Sequence, residues 1–120
     1  MTRPRIGLVT CVHPLYDLPA VAARRRDAIE GLQASGCEVV AAETPRSPAD
    51  AIEAAAFLRK SGVDLVVLLF VTWVTEGVTL ELARQLMDVP LMLWALPYLD
   101  RDIPMPSPMS GITASGSNIR

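Results

Sequence analysis

The sequence predicts an α/β fold: a doubly wound parallel sheet with helices on both faces. Three observations point to it. Residues 64–95 read as a short apolar run, a polar loop, a helical pattern and a second short apolar run, which is one βαβ unit. Upstream, two more strand-sized runs alternate with two helix-sized stretches, giving β-α-β-α-β-α-β along the chain. The third and fourth runs, Leu65–Phe70 and Leu91–Ala95, are apolar at every position, as expected of strands buried on both faces.

Each element has a local reason. Residues 6–10 form the first strand, and a loop broken by Pro14 and Pro19 follows. Residues 20–34 keep helical spacing, with Val21, Ala28, Ile29 and Leu32 on one side and arginines elsewhere, and Ser35-Gly36 stops the helix. Residues 38–42 are the second strand and 44–47 a turn. Ser47 caps a helix that begins at Pro48, where the missing N–H costs nothing, and ends before Gly62. The third helix is expected over 77–87. Right-handed crossovers with a reversal after strand two give the order 2-1-3-4. This is a flavodoxin-like sheet with four strands where a complete one has five.

Residues 1–96 make this domain. Residues 97–120 are an irregular Pro/Gly/Ser-rich segment: Pro97, Pro104, Pro106 and Pro108 preclude regular helix and interior strand, and a small polar stretch follows. Such a tail is expected to lead into a further domain.

Composition narrows the function. Half the residues are apolar (51%) and 20% are charged, which excludes a disordered chain. The formal net charge of -2 and the lack of a basic stripe argue against a nucleic-acid partner. Arg24-Arg25-Arg26 falls within a predicted helix and reads as a solvated face. No apolar run approaches the roughly 20 residues of a membrane span, so no membrane partner is expected. Cys11 and Cys37 belong at opposite ends of neighbouring parallel strands, beyond disulfide reach, and two reduced cysteines without an export signal point to the cytoplasm.

In open parallel sheets ligands bind beyond the carboxyl ends of the strands. The crevice between strands one and three should collect Thr10, Cys11 and His13 from one side and Thr72, Trp73, Thr75 and Glu76 from the other, with Trp94 and Tyr98 from strand four. Aromatic rings, hydroxyls and a carboxylate suit a polyhydroxylated ligand. Glu76 equally suits a helix's first turn, where the macrodipole favours a carboxylate. His13, the sole histidine, is either a proton-transfer group or a loop residue bound to a carbonyl. Cys11 could serve as a strand-end nucleophile with His13 as its only partner. No metal-binding spacing and no phosphate-binding glycine motif is present, which disfavours a self-contained metal site and a nucleotide cofactor.

Three segments together resemble the N-terminal domain of the L-fucose and L-arabinose isomerase family. Ile6-Gly7-Leu8-Val9-Thr10 with His13-Pro14-Leu15-Tyr16 is similar to its first strand and substrate-facing loop. Thr72-Trp73 with Glu76 resembles the third-strand end of the fucose-isomerase-like branch. Leu91-Met92-Leu93-Trp94-Ala95, then Ser110-Gly111 and Gly116-Ser117, resembles the fourth strand and the stretch leading to the next domain. The resemblance implies a cytoplasmic, oligomeric aldose–ketose isomerase. There a divalent metal, usually manganese, binds two sugar oxygens, and a proton moves between C1 and C2 through an enediol. The family's metal ligands lie in later domains, beyond Arg120, so this chain would hold neither metal nor catalytic residues. It would cover a sugar site on a neighbouring subunit of a homo-oligomer. By position His13, Leu15 and Tyr16 would form the part that reaches across, with Trp73 and Trp94 near it, and Glu76 joins them as a candidate substrate contact from its place in the crevice. Asp17 stands where the arabinose branch has glycine and His13 where it has glutamine, so these two positions bear on sugar choice. Two other readings stand beside this one: a non-catalytic sugar-binding or protein-interaction module of the same fold, and a small enzyme using Cys11 and His13.

Overall fold

The structure, a computed structural model, describes residues 3–13, 19–71 and 76–95, with Glu76 by its backbone alone. The segment 97–120 lies outside the described residues. Four strands, β1 (Arg5–Cys11), β2 (Glu38–Ala41), β3 (Leu65–Phe70) and β4 (Leu91–Ala95), alternate with helices α1 (Pro19–Ala34), α2 (Pro48–Lys60) and α3 (Glu76–Gln85). All pairings are parallel and the sheet order is β2-β1-β3-β4. This is the flavodoxin-like α/β arrangement expected from the sequence.

The two faces of β3 explain the layering. Val66, Leu68 and Phe70 join Val9 and Cys11 of β1 on one side, packed against Ala51, Ala54, Ala55 and Leu58 of α2 and Leu82 of α3. Val67 and Leu69 join Ile6 and Leu8 on the other side, packed with Val21 and Ala28 of α1. Residues 66–70 are each 0–1% exposed. Burying one such side chain contributes about 1.5–3 kcal/mol, so this strand carries much of the core's stability. The register aligns Thr10, Leu69 and Trp94 across three strands. Met92 and Trp94 therefore share the α1 face. Strand β4 is less covered than its composition suggests, with Met92 52% exposed. Its outer edge has no strand beside it among the described residues.

Local signals set the element ends. Ser47 is extended (φ -149, ψ 163) and its hydroxyl accepts from Asp50 N–H at 3.2 Å, while the Asp50 carboxylate accepts from Arg46 N–H at 3.1 Å. The Ser47 hydroxyl satisfies one of the N–H groups that a helix start leaves unpaired, and the Asp50 carboxylate ties down the residue before the cap. Helices α1 and α2 stop at Gly36 and Gly62, both at positive φ (94 and 67), a conformation costly for any side chain. Helix α3 ends at Gln85, two residues before the expected stop at Met87. A tight turn replaces its last residues, with Val89 N–H donating to the Leu86 carbonyl at 3.0 Å, ahead of Pro90. Arg59 secures that turn: its guanidinium donates to the Gln85 carbonyl at 3.1 and 2.8 Å and pairs with Asp88. The hydrogen bond from Arg59 holds the Asp88 carboxyl below the ordinary carboxylate value.

Arg5 fastens the amino-terminal ends of the strands. Its side chain donates to the Ser61 carbonyl at 2.7 Å and pairs with Glu38 at 3.3 Å, and its N–H donates to the Asp64 carboxylate at 2.8 Å. Beside it, β1 and α2 approach closely at Gly7. A Cβ there would stand 3.0 and 3.2 Å from the Leu58 methyls and 3.3 Å from a Val63 methyl. Gly7→Ala should therefore overpack the β1–α2 contact and lower stability by about 1–3 kcal/mol in urea denaturation. An unchanged midpoint would show that Leu58 moves aside freely.

Candidate functional site

The order β2-β1-β3-β4 reverses between β1 and β3, because the chain leaves β1 toward α1 on one face and leaves β3 toward α3 on the other. In sheets of this kind ligands bind beyond the carboxyl ends of the strands at such a switch point. The two strands are still joined there, where Val71 N–H donates to the Cys11 carbonyl at 3.3 Å. Val12 is buried, and His13 is the first half-buried side chain beyond β1. Glu76 is the first residue of α3. This position places a carboxylate-bearing residue in the helix's first turn, where negative charge is favoured.

Trp94 is half-buried on the α1 face, packed against the cluster around Val67 and Leu69. Strand β3 separates β4 from β1. Trp94 is in register with Thr10, two strands away, so the His13 backbone lies about 10 Å across the sheet from it and roughly 10 Å farther along the strand axis. Leu15, Tyr16 and Trp73, the other candidate sugar contacts, lie outside the described residues.

Two residues assigned to the crevice from sequence are inside the core. Thr10 and Cys11 are each 1% exposed, because β1 continues to Cys11 and pairs with β3 as far as Phe70. The Thr10 hydroxyl has no hydrogen-bond partner among the described residues. Burial pushes the Cys11 thiol up from 9.0 to about 12. At neutral pH it is a protonated filler of the α2–α3 face, which removes the reading of Cys11 as a nucleophile. Both cysteines are free, as their placement at opposite ends of β1 and β2 requires.

A second concavity was not legible in the sequence. At the carboxyl end of β2, a groove of about 560 Å³ runs between that strand and α2. Its lining includes the apolar Ala42, Ala54 and Phe57 and the charged Glu43, Arg46 and Glu53. The available signal was Phe57, an aromatic residue off the buried stripe Ala51, Ala54, Ala55 and Leu58, and 48% exposed.

The manganese implied by resemblance finds no donor set here: no group of three or more His, Cys, Asp or Glu among the described residues could hold a metal ion. Likewise, no helix among the described residues is long and apolar enough to cross a membrane.

The Cys11 environment fixes a pH response. Its folded value lies above its unfolded value, so from about pH 9 to about pH 12 the unfolded chain has lost the proton that the folded chain keeps. Stability should fall with rising pH across that window, and Cys11→Ala should flatten the fall. In the native protein a thiol reagent should modify Cys11 only as fast as the fold opens; modification at the rate of a free thiol would contradict its burial.

No family model matches the chain, and no curated protein or solved structure is significantly similar to it.

Proposed function

We propose that this chain is a sugar-site domain: the N-terminal, substrate-covering part of a metal-dependent aldose–ketose isomerase homologue, working in the cytoplasm within a homo-oligomer. The observation that carries this reading is the switch point between β1 and β3, with half-buried His13 beyond one strand and Glu76 opening the helix after the other. A sugar fits the residue types collected around that end of the sheet. Imidazole and carboxylate exchange hydrogen bonds with hydroxyls, and the indoles of Trp73 and Trp94 offer flat apolar surface to C–H faces. Leu15 and Tyr16 would complete the loop that closes over the ligand. In this role the chain orients the sugar and excludes water, and the manganese chemistry belongs to residues outside it.

The two tryptophans make the reading measurable, since they are the only indoles in the sequence. L-Fucose or L-arabinose should change tryptophan fluorescence saturably without added metal, and Trp94→Phe and Trp73→Phe should divide the signal. His13→Ala should weaken binding about tenfold, as expected for one lost hydrogen bond to a ligand. Fluorescence unmoved by either sugar would overturn the assignment, as would a His13→Ala protein that binds as well as the parent.

A further inference from the structure

We propose that the open edge of β2, with the groove beside it, docks an extended peptide segment that carries a bulky apolar residue and a basic residue two positions apart, so that both face the groove. This inference is independent of the sugar site. Glu38 N–H donates to the Pro4 carbonyl and Ala42 N–H to the Leu8 carbonyl, so the even-numbered residues of β2 turn their backbone toward β1. Backbone groups alternate along a strand, and those of Val39 and Ala41 therefore point away from the sheet. No strand lies on that side among the described residues. Such an edge accepts a peptide as an added strand, with main-chain hydrogen bonds supplying affinity and side-chain pockets supplying selectivity.

The groove supplies the selectivity. Val40 and Ala42 face α2, so alternate side chains of an added strand would fall on the same side, over Phe57 and Ala54. Phe57 offers an aromatic surface to an aliphatic chain or to a cation. Glu43 and Glu53 at the rim have no ion-pair partner among the described residues, whereas Asp50 is committed to the helix cap. Arg46 is the single basic residue in the lining, so acidic charge prevails and favours a basic partner. The helix N-terminus itself is closed to anions by the Ser47–Asp50 cap. At the carboxyl end of the strand, on the α1 side, Arg25 donates to the Ala42 carbonyl at 3.3 Å.

The test uses two synthetic peptides, acetyl-Thr-Leu-Thr-Lys-Thr-amide and acetyl-Thr-Leu-Thr-Glu-Thr-amide, in which the leucine and the charged residue share one face, titrated into the full chain with amide NMR as readout. The basic peptide should shift the amides of Val39, Ala41, Glu43, Glu53 and Phe57 saturably, and the acidic one should not. Glu43→Lys with Glu53→Lys, both at exposed positions, should weaken the basic peptide at least about tenfold and pass the preference to the acidic peptide. Ala41→Pro removes one outward N–H while leaving the ladder to β1 intact, and should weaken the same peptide. Equal response to both peptides, no response, or shifts confined to β4 would overturn the proposal. Shifts at Val39 and Ala41 that depend on protein concentration alone would also overturn it, by making a second copy of the chain the occupant.

Discussion

The structure depends on one dry strand. Strand β3 is flanked by β1 and β4, covered by α2 and α3 on one face and by the α1-side cluster on the other, and its residues 66–70 are almost wholly inaccessible. A strand with no charged residue can be buried this way only if both faces are covered and both edges are paired. That requirement dictates the rest. It fixes the register that sets Thr10, Leu69 and Trp94 side by side. It also brings β1 and α2 so close that a Cβ at Gly7 would press on methyls of Leu58 and Val63.

The same constraint separates structure from function along the strand axis. At the amino-terminal end, Arg5 joins β1 to β2 and to the corner between α2 and β3 through its hydrogen bonds and its pair with Glu38. At the carboxyl end β1 leads to α1 on one face and β3 to α3 on the other. The switch point near His13 and the β2–α2 groove near Phe57 both lie at this end. The proposed ligands would meet only strand ends or an edge, so neither would disrupt the core.

Much of the fold was legible because its signals are local. Uninterrupted apolar runs marked β3 and β4, Ser47-Pro48 marked a helix start, and Gly36 and Gly62 marked helix stops, since few other residues tolerate their φ. The end of α3 was misjudged by two residues because its stop is tertiary: Arg59, from another helix, holds the turn at Gln85 and Asp88. The site was legible only as a location. Strand order located the crevice, but the length of β1 decided that Thr10 and Cys11 are core and that His13 is the first accessible group. The β2 groove was hidden because it depends on which side of α2 faces the strand, and on a backbone direction that sequence does not encode.

Amide hydrogen exchange on the free protein tests the central claim, that a dry β3 supports a sheet whose functional surfaces are its end and its β2 edge. The amides of Val66 to Phe70 should exchange only through global unfolding, while those of Val39 and Ala41, pointing outward from β2, should exchange orders of magnitude faster. Equal protection at Val39, Ala41 and β3 would mean that the edge is already covered. Fast exchange throughout β3 would contradict the dry core on which the whole account rests.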